Sequence, residues 1–224
     1  MCFFFLVGNG YLFSQNSELQ SGELWSGATF KVEYNKKWMF QLEEQLRLWN
    51  DLGSVKSSFT EIGAGCEPFS DFEIVGRYRF TIVPNSFAED AIEKSAFNRS
   101  RFMLDIKYEL DKKGFPLSLE YRMRMQDSKE LYTGHKRTFL RNRIGLEWEA
   151  TDDIKPYLEY ESFYRFNSKN EFRGNRYSFG IDWRINKKMD LSTFYRVDQQ
   201  INTRVNDRQN IVGISYTYEI EIEK

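Results

Sequence analysis

The chain has 224 residues and a formal net charge of -1, from 32 basic and 33 acidic side chains. No excess of positive charge argues for nucleic acid as a partner. Mean hydropathy is -0.63, and beyond the first residues no apolar run approaches the roughly 20 residues that a membrane-crossing helix requires. A barrel stays open, because its strands point apolar residues one way and polar residues the other, and the two cancel in any average. Aromatic residues make up 17%, with 20 Phe and 13 Tyr against 4 Pro, a balance that favours strands.

The run Met1-Cys2-Phe3-Phe4-Phe5-Leu6-Val7, followed by Tyr11-Leu12-Phe13-Ser14-Gln15, reads as an export signal peptide over residues 1–14. It is too short to span a bilayer and has small Ser14 as a cleavage point, although a positive n-region is missing. The alternative is a buried first strand. Residues 15–224 then form one domain whose single cysteine, Cys66, has no disulfide partner within it.

From Trp25 onward apolar side chains recur at every second position, the period of a strand. In chain order the segments are Ala28 to Tyr34, Trp38 to Trp49, Phe59 to Cys66, Phe72 to Val83, Arg101 to Leu110, Leu117 to Gln126, Phe139 to Ala150, Ile154 to Phe166, Arg176 to Ile185, Met189 to Val197 and Val212 to Ile222. In the clearest, Phe102, Leu104, Ile106, Tyr108 and Leu110 share one face, and Arg101, Met103, Asp105, Lys107 and Glu109 share the other. Most segments are near the roughly 9 to 11 residues that a tilted strand needs to cross a hydrocarbon core. Glu44 and Asn142 break the pattern by falling on apolar faces, and Phe59 to Cys66 alternates poorly around Gly63 and Gly65. Bulges or interfacial positions account for such defects.

The connections alternate in length. Short turns at Asn35 to Lys37, Pro68 to Asp71, Asp111 to Gly114, Thr151 to Asp153 and Asn186 to Lys188 take turns with longer loops at Asn50 to Lys56, Pro84 to Asn98, Asp127 to Arg137, Asn167 to Asn175 and Asn202 to Gln209. Tight periplasmic turns and longer extracellular loops produce this rhythm in outer-membrane barrels. Tyr34, Trp38, Phe72, Tyr108, Phe115, Trp148 and Trp183 gather beside the short turns, where aromatic side chains suit a membrane interface. The expected fold is therefore all-β, a transmembrane antiparallel up-and-down β-barrel of about twelve strands, since bacterial barrels close on even numbers.

The run Leu24-Trp25-Ser26, the turn Asn35-Lys36-Lys37-Trp38 and Gln41-Leu42-Glu43-Glu44-Gln45-Leu46-Arg47 resemble an uncharacterised, domain-of-unknown-function family of bacterial outer-membrane β-barrel proteins. So do Gly76-Arg77-Tyr78-Arg79-Phe80, Tyr121-Arg122-Met123-Arg124, Asn186-Lys187-Lys188 and Gly213-Ile214-Ser215-Tyr216-Thr217-Tyr218. The resemblance implies export, a bacterial outer-membrane location and no assigned activity, so it carries over no catalytic residues. The chain departs from the pattern by continuing six residues past Tyr218 to Lys224, where such barrels commonly finish on an aromatic residue.

Candidate chemistry is sparse. The only histidine, His135, lies in a polar loop with Ser128 and Thr133 but with no second histidine or cysteine, and a solvated loop residue is the expectation. No catalytic, cofactor or metal site is expected. The inward faces carry a charged network of Arg77, Arg79, Arg101, Asp105, Glu109, Glu120, Arg122, Arg124, Arg141, Arg143, Glu147, Glu159, Glu161, Asp182, Arg184 and Arg196. It reads either as a structural salt-bridge lattice or as a polar pore guiding anionic solutes. Ser86-Phe87-Ala88-Glu89 followed by Asp90 to Phe97 predicts a short helix in the longest loop. The leading function is a small passive, porin-like channel or a structural membrane component, a monomer with lipid and small polar or anionic solutes as partners. A soluble or periplasmic barrel binding a lipid-like ligand would reverse the facing of the two sides. An outer-membrane enzyme would need a nucleophile and base that the sequence does not present.

Overall fold

The computed structural model describes residues 21–49, 53–84, 98–111, 114–167, 169–202 and 208–223. The expected signal peptide and the expected helix after Ser86 lie outside the described residues. Among the described residues eleven strands close a single barrel: β1 (Ser21–Tyr34), β2 (Trp38–Trp49), β3 (Val55–Phe69), β4 (Phe72–Ile82), β5 (Arg99–Asp111), β6 (Leu117–Glu130), β7 (Lys136–Trp148), β8 (Ile154–Arg165), β9 (Glu171–Asn186), β10 (Met189–Gln200) and β11 (Arg208–Ile222).

Each strand pairs antiparallel with the next, but β1 pairs parallel with β11, from Ser21 opposite Gln209 to Tyr34 opposite Ile222. An odd meander sends its first and last strands in the same direction, so it can close only through a parallel seam. The twelfth strand anticipated from the even-number habit is therefore not needed for closure.

The turns at one rim follow from local chemistry. Asn35 and Lys36 both have positive φ, 52° and 53°, and the Lys37 amide donates to the Tyr34 carbonyl at 3.2 Å. This two-residue left-handed turn matches the twist of the strands it joins. At the other rim the ladders extend further than the hydrophobic alternation does. β6 runs on to Glu130 and β7 begins at Lys136, with Asp127 opposite Thr138 and Lys129 opposite Lys136 on the outer side. Much of what the sequence presents as long loop is thus paired strand, and the contrast in loop length is smaller than expected. Above an apolar belt the outward side chain need not be apolar, so alternation stops before the hydrogen bonding does.

The two faces are sorted inside out relative to a soluble protein. Phe102 is 63% exposed on the outside, whereas inward Asp105 and Glu61 are 0% and 1% exposed. Leu104, Tyr121 and Phe179 also face out, and Arg122, Arg124 and Arg141 are buried inside. A soluble barrel with a lipid-like ligand in its interior needs the opposite arrangement, which removes that alternative. Two aromatic side chains, Trp25 and Phe59, are nevertheless buried in the lumen. The poor alternation of β3 has the same origin: Phe59 points in while Thr60 points out.

Polar groups on the outer face are paired. Three tyrosines each donate from the hydroxyl to the Oδ1 of an asparagine on the next strand: Tyr121 to Asn142 at 2.8 Å, Tyr160 to Asn175 at 3.0 Å and Tyr195 to Asn210 at 2.8 Å. All three are diagonal, two positions off the direct cross-strand partner. Glu44 accepts from Thr60 Oγ1 at 2.6 Å. The irregularities at Glu44 and Asn142 are therefore neither bulges nor exposed orphans, and in a medium without water such pairing is what makes a polar side chain tolerable.

Candidate functional site

Alternation delivers one inward side chain from every second residue, and in the middle of the barrel most of these are arginines and carboxylates. Glu61 on β3 binds Arg77 at 3.3 Å and Arg79 at 2.5 Å, both on β4. Arg77 also reaches Asp105 on β5 at 3.1 Å, and Asp105 holds Arg124 on β6 through two bonds of 2.5 Å. A second hub, Glu161 on β8, receives Arg122 and Arg141 at 2.7 Å each and Arg176 at 3.6 Å. Arg176 then pairs with Asp198 on β10 at 2.5 Å. Arg143 bridges Glu120 and Glu159, the latter at 2.6 Å. Forked guanidinium contacts of this kind are strong and geometrically specific, and each carboxylate here ties neighbouring strands together.

Of the residues expected in the lumen, Arg77, Arg79, Asp105, Glu120, Arg122, Arg124, Arg141, Arg143, Glu159 and Glu161 form this lattice. Arg101 and Arg196 line the same cavity without a carboxylate partner among the described residues. Glu109, Glu147 and Asp182 line a separate cavity nearer the short turns. Arg184 is exposed at the short-turn rim and takes no part in the lattice. Sequence reasoning missed Glu61 and Arg176 as members of the lattice, and Arg47 as a residue of the central cavity. It also missed the aromatic side chains that support the arginines: Arg47 lies over Trp25 at 3.8 Å, Arg79 over Phe59 at 3.5 Å, Arg141 over Phe163 at 4.7 Å and Arg196 over Phe194 at 4.6 Å. Their signal was available, since each of these aromatics occupies a polar-face position two residues from an inward charge. His135 sits exposed in the turn after β6, its amide donating to Thr133 Oγ1 at 3.2 Å.

The charges are also sorted by height, which the near balance of totals conceals. The central cavity, about 480 Å³, is lined by ten arginines, Arg47, Arg77, Arg79, Arg101, Arg122, Arg124, Arg141, Arg143, Arg176 and Arg196, with Lys107, against Glu43, Glu61, Glu159 and Glu161. Towards the long-loop rim a cavity of about 290 Å³ adds Arg137, Arg165 and Arg173 with, among the described residues, a single acid, Asp198. Towards the short turns a cavity of about 330 Å³ carries Glu109, Glu120, Glu147, Glu159 and Asp182, with Arg143 its only basic residue among the described residues. The central cavity shares walls with both of the others: Phe139, Phe163 and Arg176 with the long-loop cavity, and Arg143 and Glu159 with the short-turn cavity. Another cavity at the short-turn end, about 190 Å³, places Lys31, Lys36, Lys37 and Lys107 beside Glu33, Glu67, Asp71, Glu73, Glu109 and Glu120, so the lining changes from arginine-rich at the long-loop rim and centre to mixed and acid-rich at the short turns.

A match to a family of proteins of unknown function, DUF2490, runs over residues 22–210, from the first strand into the last. The chain belongs to this family. No curated protein matches this DUF2490 member. Among solved structures it is similar to one described as the NanC porin in a rhombohedral crystal form, at 12% identity, 85% coverage of this chain, 93% of that one and a TM-score of 0.49. It is also similar to outer-membrane expressed OmpT of Vibrio cholerae, at 9% identity, with 73% of this chain and 54% of that one covered and a TM-score of 0.40.

Proposed function

We propose that the protein is a bacterial outer-membrane β-barrel that passes small anionic solutes passively through its lumen. The outer belt supports the membrane part of this reading. A closed ladder leaves no unpaired strand edge, and a band of Phe, Leu, Ile and aromatic side chains faces outward, which is what hydrocarbon demands of a spanning sheet. Lipid is then the partner of the outer face, and one copy suffices because the barrel closes on itself.

The observation that carries the transport reading is the surplus of guanidinium groups around the central cavity. Rings of fixed positive charge favour anions entering a narrow pore, and the low dielectric of a protein-walled lumen strengthens that preference. The acidic side chains near the short turns oppose retention, so that an anion drawn to the centre is released at that end. The test is conductance of the purified barrel in a planar bilayer under a potassium chloride gradient. A reversal potential on the chloride side supports the reading, and cation selectivity overturns it.

One observation favours a second reading. The carboxylate hubs Glu61, Asp105 and Glu161 are nearly fully buried, as in a lattice whose role is to hold the wall together. Absence of any conductance across many insertions, with a correctly folded barrel, selects this structural role.

A further inference from the structure

Of the ten arginines around the central cavity most are held by carboxylates, but three are held in another way. Among the described residues no ion pair includes Arg47, Arg101 or Arg196. Each is fixed through Nε to a neutral acceptor: Arg47 to Gln45 Oε1 at 2.8 Å, Arg101 to Ser128 Oγ at 3.1 Å and Arg196 to Ser178 Oγ at 3.1 Å. Two of them also share an aromatic platform, since Trp25 lies under Arg47 at 3.8 Å and beside Arg196 at 5.3 Å. Arg101 completes the group from across the cavity, where it and Arg47 repel each other, as Arg47 and Arg196 do; Glu23, which accepts from Trp25 Nε1 at 2.8 Å, attracts Arg47, and Glu159 and Asp198 attract Arg196, all from beyond ion-pair distance.

This is an unusual way to place cations inside a protein. Enclosed charges are normally matched by resident counter-charges, and ring faces and hydroxyls position a guanidinium without neutralising it. Anchoring at Nε leaves the Nη pair of each arginine without a bond to any described residue. Such a pair matches two oxygens of one carboxylate or phosphate. Three forks around one cavity suit a ligand with several oxyanion groups, because a single univalent ion relieves only part of their mutual repulsion.

We infer that Arg47, Arg101 and Arg196 form a saturable binding site for a compact multivalent oxyanion, a solute bearing two or more phosphate or carboxylate groups. The inference rests on the anion reading of the lumen and divides its arginines by task. Those bound to Glu61, Asp105 and Glu161 build the wall, and these three receive the solute. A guanidinium that stacks on Trp25 also brings the ligand near the indole, so occupancy alters its emission.

The test uses the full-length barrel folded in detergent, titrated with tripolyphosphate, citrate and sodium chloride by calorimetry. Tripolyphosphate or citrate binds saturably, and chloride competes only at far higher concentration. The Arg47→Gln/Arg196→Gln variant removes no carboxylate's partner, so the wall persists, and its affinity falls at least tenfold. Arg184→Gln, at the exposed rim, leaves affinity unchanged. With Trp25→Phe the ligand-dependent change in emission disappears. Heat that rises without saturation, or unchanged affinity in the Arg47→Gln/Arg196→Gln variant, overturns the site. A barrel that is anion-selective in bilayers yet binds neither polyanion keeps the channel and loses this site. One that binds saturably but carries no current keeps the site and loses the channel.

Discussion

Phe194 and Gly213 sit opposite each other across the β10–β11 ladder, and the phenylalanine ring occupies the space that a Cβ on residue 213 would need. Tyr157 covers Gly180 in the same way across β8 and β9. In both, the far end of the ring lies over the glycine on the lumen side, so a small residue and a large one together fill one layer of the wall. Gly213→Val forces the ring aside and costs about 1–3 kcal/mol, read from equilibrium urea unfolding in detergent. The displaced ring also leaves Arg196, so polyanion affinity falls with stability. Wild-type stability in this variant would mean that the ring is not held against the glycine.

The fully buried carboxylate of Asp105 holds Arg77 and is the ion-pair partner of Arg124. Asp105→Leu strands a buried guanidinium and costs about 3–5 kcal/mol. Replacing Arg124 by leucine as well restores part of that loss, since both charges of the closest pair leave together and Arg77 keeps Glu61. A double-mutant cycle by urea unfolding shows a coupling well above 1 kcal/mol; strict additivity would contradict the direct contact.

On the outer face the Tyr121 hydroxyl satisfies Asn142. Tyr121→Phe leaves the asparagine amide facing hydrocarbon without its donor and destabilises the barrel in lipid vesicles by about 1–2 kcal/mol. Adding Asn142→Leu restores stability to the wild-type level or above. The same pair of changes measured in a water-exposed position would show little effect, so a null result for Tyr121→Phe argues against a lipid environment at this point of the wall.

Leu104 lies on the outer side near the middle of β5, and Leu110 near its short-turn end. Arginine at residue 104 costs about 2–4 kcal/mol, whereas arginine at residue 110 costs about 0–1 kcal/mol, both read from unfolding in vesicles. Equal penalties at the two depths would remove the depth dependence that a bilayer imposes.

The two rims carry different cleavage sites. Tyr132 is exposed in the turn between β6 and β7, and Lys36 and Lys37 are exposed in the turn between β1 and β2. With the short turns periplasmic, chymotrypsin added to intact cells cuts after Tyr132, and trypsin reaches Lys36 and Lys37 only once the outer membrane is opened. Cleavage at Lys36 in sealed cells reverses the orientation.

Much of the architecture was legible because a strand has a side-chain period of two. That period sorted Phe102, Leu104 and Ile106 from Arg101, Met103 and Asp105 without reference to any other strand, and the sorting survives intact in the barrel. Strand ends were less legible. Asp127 to Glu130 looks like loop because its outward residues are polar, yet it is hydrogen-bonded strand, and pairing is a property of two segments rather than one. The inward placement of Trp25 and Phe59 is not legible for a related reason: they are apolar by type, but the arginines above them make the inside the favourable side.

The residues by themselves determined the all-β class, the inward and outward faces and the pool of lumen charges, because each depends only on neighbours along the chain. The tertiary structure decided the parallel β1–β11 seam and the division of the central arginines into those paired with carboxylates and those held by neutral acceptors. Both depend on register between strands distant in sequence, such as the one that brings Arg176 to Asp198 while leaving Arg196 to Ser178, and a two-residue period is silent about register.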